Sequence, residues 1–424
     1  MRKVELRPYQ LALARQGADV LRTSGLLYLA MQVRTGKTLT ALSIAQALDA
    51  RMVLFITRLK AMPSIQEDYE RMAPAFEMQL VNYESLHKVS DVDMERIEIV
   101  ICDEAHGLGA FPEPSERHRM VKRIVQKSWA KVIFLSGTPT PESYSQMYHQ
   151  LNVSKASPWA DYPTFYAWAK DYVTVRKRHI YNREINDYSD ADEDAIREDI
   201  KPFFLTFTQE EAGFYVPIEE QVLFVQMEWK TYTSIQRLKR DRVLETSHGT
   251  IMADTEVKLL NKLHQICSGT VIVDVPVDVK VVQAAFDHTK ARFICSHFQG
   301  KKIAIFYKFT AEKHILEMYF AGRIAADTKE FNAGGPDMVY ISQVQSGREG
   351  LNLSSADCLV MYNIDFSAVS YWQARARIQV KDRVKPAIVY WIFAKCGIEE
   401  YIYECVNKKQ DFTINHFRKT YLKK

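Results

Sequence analysis

Leu26 to Ala47, LLYLAMQVRTGKTLTALSIAQA, constrains this chain more than any other stretch. Leu26 to Met31 is an apolar run of strand length, and Thr38 to Ala47 is apolar at helical spacing, rich in Ala and Leu. Between them Gln32-Val33-Arg34-Thr35-Gly36-Lys37-Thr38 ends in Gly-Lys-Thr. A strand, a tight turn and a helix opening on Gly-Lys-Thr form a phosphate-binding loop. The backbone N–H groups at the helix start carry the positive end of the dipole and bind an anion. Gly36 allows close backbone approach. The Lys37 ammonium suits the β and γ phosphates of a nucleotide, and the Thr38 hydroxyl suits magnesium. The match is partial, because Met31 stands where the usual pattern has its first glycine.

Further strand patterns end in polar residues. Met52 to Thr57 is a buried-strand run with Arg58 and Lys60 at its carboxyl end, the side on which open α/β sheets bind ligands. These cations suit a nucleic-acid phosphate, and also a solvated loop. Ile97 to Cys102 delivers Asp103-Glu104-Ala105-His106. An apolar strand ending in adjacent carboxylates is costly unless they bind something. Magnesium held by Asp103, with Glu104 orienting and deprotonating a water, accounts for both. Lys131 to Leu135 runs into Ser136-Gly137-Thr138-Pro139-Thr140, a turn of small hydroxyl residues suited to sensing a γ-phosphate. Upstream, Leu6-Arg7-Pro8-Tyr9-Gln10 opens a helix with Pro8 in its first turn. The Gln10 amide can make a two-pronged hydrogen bond to an adenine edge.

These four motifs, Leu6 to Gln10, Thr35 to Thr38, Asp103 to His106 and Ser136 to Thr140, resemble those of superfamily-two helicases and translocases, particularly the Snf-type group and its phage-encoded relatives. The resemblance implies an α/β fold of two RecA-like domains, parallel sheets flanked by helices, with ATP and Mg2+ held in the cleft between them. It also implies that Gln10 contacts adenine.

The second half carries more of the same resemblance. Ser346-Gly347-Arg348-Glu349-Gly350-Leu351-Asn352-Leu353 matches the family's Gly-x-x-Gly-Leu-Asn-Leu motif, so Gly350 is expected near phosphate or ribose. Leu263 to Cys267 resembles the Snf-type entrance to the second domain. His264 there has no partner at metal-ligand spacing, which favours a structural histidine. The family pattern Gln-x-x-Gly-Arg-x-x-Arg falls on Gln373 to Val380, which makes Gln373 a nucleotide-site residue and Arg377 the first arginine. Val380 occupies the second arginine position, leaving Arg383 and Arg375 as substitutes. On a helix turning about 100° per residue, Arg383 lies roughly 120° and Arg375 roughly 160° around from Arg377. The expected order for a finger stabilising the transferring phosphate is therefore Arg377, Arg383, Arg375.

Between the halves, residues 156–214 change character. Trp159, Tyr162, Phe165, Tyr166, Trp168 and Tyr172 crowd together, followed by Arg176, Lys177 and Arg178 and then an acidic stretch. Aromatics at helical spacing favour a small core, and the basic trio is the better candidate for nucleic-acid phosphate. The expected organisation is a first domain over 1–155, a mostly helical inserted segment over 156–214 and a second domain over 215–424. Strands are expected at Val222 to Met227, Lys302 to Tyr307, Met338 to Ile341, Cys358 to Tyr362 and Ala387 to Phe393.

Composition narrows the setting. The 424 residues suffice for two or three cored domains. No apolar run reaches membrane-span length, and Arg2 and Lys3 precede no apolar segment of signal length. The six cysteines form no close pair, which argues against zinc and disulfides and for a reducing cytoplasm, the host's if the chain is phage-encoded. A net charge of +4 permits a nucleic-acid partner without requiring one. The expected activity is ATP hydrolysis coupled to movement on duplex, forked or branched DNA, with unwinding or branch migration as outputs. An RNA helicase and a nucleotide-dependent DNA-binding scaffold are the alternatives.

Overall fold

The computed structural model describes residues 5–180, 183–246, 249–273, 282–347, 351, 353–379, 386–408, 412–413 and 416–422. The chain forms two compact units, Met1–Gly213 and Phe214–Lys424.

The first unit is built on β1 (Leu26–Met31), β2 (Met52–Thr57), β3 (Glu77–Asn82), β4 (Ile99–Asp103) and β5 (Lys131–Leu135). A hairpin, β6 (Arg176–Ile180) and β7 (Arg183–Asp187), precedes β8 (Phe204–Phe207). The main sheet has the order β3-β2-β4-β5-β1-β8, with every neighbouring pair parallel. Its inner strands β1, β2, β4 and β5 are buried on both faces, as a parallel sheet covered on both sides requires. Along β1, Leu26 and Tyr28 join the core on one side, and Leu27, Leu29 and Met31 join the core on the other. The helix Pro8–Ser24 starts with Pro8 in its first turn and stops at Gly25, whose left-handed φ of 74° turns the chain into β1.

Of residues 156–214, expected as a separate inserted segment, 156–213 fall within this first unit. They contribute the helices Phe165–Tyr172 and Glu193–Ile200, the β6–β7 hairpin and the edge strand β8. Trp159, Phe165 and Trp168 are buried in the core of the first sheet, and Trp168 stacks on Tyr172 at 5.1 Å. The aromatic crowding is thus core. Among its members only Tyr166, 45% exposed, counts as exposed.

The second unit has the strands β9 (Ile218–Val225), β10 (Val243–Thr246), β11 (Gly249–Met252), β12 (Thr270–Val273), β13 (Val282–Ala285), β14 (Ile303–Tyr307), β15 (Val339–Gln343), β16 (Cys358–Met361) and β17 (Ala387–Ala394). Its main sheet runs β15-β14-β16-β17-β9, again wholly parallel, while β10–β11 and β12–β13 pair antiparallel. The strand expected at Val222 to Met227 begins earlier, at Ile218, because its partner β17 pairs with it from Ala387 onward. Two parallel α/β sheets in one chain are the architecture of paired RecA-like domains. Among the described residues no helix is long and apolar enough to cross a membrane. Four of the six cysteines are buried, and none forms a disulfide.

Candidate nucleotide site

In the first sheet β5 lies between β4 and β1, so the carboxyl ends of these three strands are neighbours. The phosphate loop follows β1, the acidic pair follows β4 and the hydroxyl turn follows β5.

Two left-handed residues shape the phosphate loop, Arg34 at φ 66° and Gly36 at φ 86°. A Cβ on Gly36 would lie 2.3 Å from Gln10 Nε2, so conformation and space both demand glycine. The loop's carbonyls are held by protein donors. Lys37 Nζ donates to Met31 O at 3.1 Å, the Thr35 hydroxyl to Gln32 O at 2.7 Å, and Gln209 Nε2 to Val33 O at 2.9 Å. The Tyr9 hydroxyl donates to Thr35 O at 3.0 Å, and Gln10 Nε2 to Gly36 O at 3.3 Å. Carbonyls committed in this way are kept from facing an anion, and the start of the helix Lys37–Ala47 is left to meet one. Gln10 is buried, and its Oε1 also accepts from Arg7 N at 2.9 Å. Its amide therefore braces the loop from the first helix.

Asp103 ends β4 beside Thr57, the last residue of β2. The Thr57 hydroxyl donates to Asp103 Oδ2 at 2.8 Å, and the Tyr83 hydroxyl donates to Asp103 O at 2.7 Å. Burial, and next the charge of Glu104, push the Asp103 carboxyl up to about 6, against the pull of the Thr57 hydrogen bond and the Lys37 charge. Glu104 sits in the left-handed region at φ 50°. His106 Nδ1 lies 3.3 Å from Glu104 Oε2 and 3.1 Å from Ser136 Oγ. Ser136 Oγ in turn accepts from Thr138 N at 3.1 Å. A Cβ on Gly137 would lie 3.4 Å from Met31 O and 3.7 Å from Lys37 Nζ, so this turn packs on the phosphate loop. Thr138 Oγ1 is buried without a hydrogen-bond partner among the described residues, which leaves a hydroxyl for a ligand.

The donor set suits magnesium. Thr38 and Asp103 offer hard oxygens, and no group of three or more His, Cys, Asp or Glu side chains among the described residues forms a metal cage. Magnesium is ordinarily bound by one or two carboxylates together with substrate phosphates.

A model of the SNF2-related domain matches residues 38–272, more than half of the chain. The chain belongs to the SNF2-related family. Chicken (Gallus gallus) chromodomain-helicase-DNA-binding protein 1 is 21% identical, over 96% of this chain and 26% of the relative. Chicken DNA repair and recombination protein RAD54B is 20% identical, over 80% of this chain and 42% of the relative. The chain thus spans well under half the length of these relatives. Among solved structures, the Sulfolobus solfataricus SWI2/SNF2 ATPase core in complex with dsDNA is 15% identical, with a TM-score of 0.42, and covers 100% of this chain and 94% of that one.

The SNF2-type residues expected in the second unit fare differently. Gln373 is buried on the helix Ala368–Arg375. That helix stops before Arg377, which lies in the tighter turn Ala376–Ile378, so the 100° spacing used to rank the arginines does not hold there. Arg375 is held by an ion pair and an aromatic ring. Its Nη1 lies 2.6 Å from Glu220 Oε1, and its guanidinium sits 4.4 Å from the Trp372 ring centre. Gly350, Val380 and Arg383 lie outside the described residues. His264 is fully buried and donates from Nε2 to Asn363 Oδ1 at 2.6 Å, and Asn363 Nδ2 donates to Glu312 Oε1 at 2.6 Å. It thereby joins a network that ties the helices Glu256–Cys267 and Thr310–Tyr319 to the loop after β16.

Of the basic residues, Arg58 and Lys60 follow β2 on the same side of the sheet as Asp103, Lys60 being exposed. Arg176 pairs with Asp190 at 2.7 Å, and Lys177 pairs with Glu184, so acidic residues of its own segment offset the hairpin's charge. The Arg178 side chain lies outside what is described. Sequence spacing gave no sign of Thr57, Tyr83 or Gln209. Thr57 reaches Asp103 across 46 residues, and Gln209 reaches the loop from 176 residues away. A hydroxyl at a strand end was the one local hint for Thr57.

Proposed function

We propose that the chain binds ATP with Mg2+ at the carboxyl ends of β1, β4 and β5 and couples its hydrolysis to movement along duplex DNA. The observation that carries this reading is the convergence of Lys37, Asp103, Glu104 and the Ser136–Thr138 turn at the carboxyl end of one sheet, in a chain of the SNF2-related family.

The Gly36–Thr38 backbone and the Lys37 ammonium hold the β and γ phosphates. The Thr38 hydroxyl and the Asp103 carboxylate hold the metal. Magnesium, when bound, neutralises charge on the transferring phosphate. Glu104 takes the proton of the attacking water, and His106 orients the Glu104 carboxylate from 3.3 Å. The Ser136–Thr138 turn follows the state of the γ-phosphate through the Thr138 hydroxyl. Thr35 supports the loop, and Gln10 meets adenine once its amide leaves Arg7 N and Gly36 O. Arg377 stabilises the developing charge. Arg58 and Lys60 meet DNA phosphate, and Arg176, Lys177 and Arg178 are a secondary surface whose cations must first leave their acidic partners. The names of the relatives, a DNA-binding helicase and a DNA repair and recombination protein, support DNA as the polymer. Unwinding and branch migration are outputs that such movement permits, and the phage-type likeness of the motifs belongs to this reading.

The test is ATP turnover measured without polymer and with duplex DNA, forked DNA, single-stranded DNA and RNA, at several salt concentrations. Duplex DNA is expected to stimulate turnover, and binding is expected to weaken steeply with salt as neutralised phosphates release counterions. Identical rates in all arms overturn the coupling to DNA, and stimulation by RNA alone moves the assignment to RNA.

A further inference from the structure

We infer that Gln209 is a positioning residue of the phosphate loop and that, with Gln32, it fastens the chain leaving the first unit to that loop. The inference rests on the nucleotide reading above and adds to it a route by which nucleotide occupancy reaches the segment leading out of the unit.

Gln32 N–H donates to Phe207 O at 2.9 Å, extending the parallel pairing of β1 with β8. Beyond that bond the segments are laced by their glutamines. Gln209 N–H donates to Gln32 Oε1 at 2.8 Å, and Gln209 Nε2 donates to Val33 O at 2.9 Å. Each glutamine side chain thus bonds the other strand's backbone, which fixes both segments in register. Tyr9 adds a third tie, stacking on Phe207 at 4.6 Å while its hydroxyl donates to Thr35 O.

The position of the clasp gives it consequence. Val33 precedes Arg34, whose left-handed φ of 66° starts the turn of the loop, so a donor on Val33 O sets the peptide plane on which the turn is built. On the other side, residues 208–213 form a closed turn. Glu211 Oε2 accepts from Thr208 N at 2.7 Å and from the Thr208 hydroxyl at 2.8 Å, and Ala212 N donates to Thr208 O at 3.2 Å. This turn runs to Gly213, where the first unit ends. A shift of Val33 on phosphate binding therefore moves or breaks the Gln209 bonds and is passed to a segment stiff enough to carry it. No catalytic contact is assigned to Gln209.

The test compares the parent chain with Gln209→Ala, Gln32→Ala and Gln32→Glu, with Lys37→Ala as a control. Two readouts are taken, hydrogen–deuterium exchange with and without ATP, and the KM and kcat for ATP. In the absence of nucleotide, Gln209→Ala is expected to speed exchange across residues 32–37 while its melting temperature stays near the parent's. With ATP, the parent is expected to change exchange over 207–213, and Gln209→Ala to lose that response. Loss of one such hydrogen bond should raise KM by roughly three- to tenfold with a smaller change in kcat. Gln32→Glu keeps the acceptor for Gln209 N–H and should recover part of what Gln32→Ala loses, which a packing role for Gln32 would not produce. Parent-like exchange and KM in Gln209→Ala overturn the clasp. If the parent fails to turn over ATP at all, the nucleotide reading falls, and nucleotide-free exchange over 32–37 still decides whether Gln209 holds the loop.

Discussion

His106 Nδ1 lies 3.3 Å from a carboxylate oxygen of Glu104, and both side chains are largely buried. The same nitrogen is 3.1 Å from Ser136 Oγ, so the acidic pair after β4 and the hydroxyl turn after β5 meet at one imidazole. Glu104 has its backbone in the left-handed region, a conformation that costs a non-glycine residue energy and that a packed site can sustain.

Glu104→Gln is expected to bind ATP and hydrolyse it slowly. The amide keeps the shape and can still hydrogen-bond, but it cannot take a proton from water. Loss of a general base typically lowers turnover on the order of 100- to 10,000-fold. Single-turnover hydrolysis alongside nucleotide affinity measures this, and a fall of less than about threefold removes Glu104 from the role.

Lys37→Ala is expected to abolish turnover in a folded protein. Lys37 Nζ sits over the loop, bonded to Met31 O and Gln32 O, and its charge acts on Asp103. Circular dichroism and a melting curve check the fold, and parent-like turnover would refute the phosphate-loop assignment.

Arg375→Ala and Arg377→Ala should separate stability from chemistry. Glu220 accepts from Arg375, from the Tyr371 hydroxyl at 2.8 Å and from Trp391 Nε1 at 2.8 Å, so removing Arg375 breaks a mostly buried pair. The expected loss is about 2 to 4 kcal/mol of folding stability, read by denaturant unfolding. Arg377→Ala should instead lower kcat with little loss of ATP affinity, as expected of a group acting on the transition state. If Arg375→Ala keeps its stability and loses turnover, the finger is Arg375.

Acid should weaken the first unit through His118. Burial, and next the neighbouring His149, lower its pKa from the ordinary 6.5 to about 3, while its Nδ1–H donates to His149 O at 2.8 Å. Between about pH 6.5 and 3 the unfolded chain takes a proton at this residue and the folded one does not, so stability falls as the pH drops through that window. The slope approaches about 1.4 kcal/mol per pH unit for one fully shifted group. Unfolding curves from pH 7 to 4 should show a shallower slope for His118→Asn than for the parent, and equal slopes would exclude the residue.

Most of the fold was legible locally. Runs such as Met52 to Thr57 and Lys131 to Leu135 bury both faces, and a continuous apolar run bounded by polar residues reports that condition directly. The position of Gln32 to Thr38 and of Asp103-Glu104 at strand ends was legible for the same reason, since each follows or closes such a run. Strand order, the membership of residues 156–213 in the first unit, the tie of Arg375 to Glu220 and the bonds from Thr57 and Gln209 were decided only by tertiary structure. These contacts join residues from 46 to 176 positions apart, and their hydrogen-bond partners are chosen by which strands lie side by side, a choice that local propensity and periodicity do not encode.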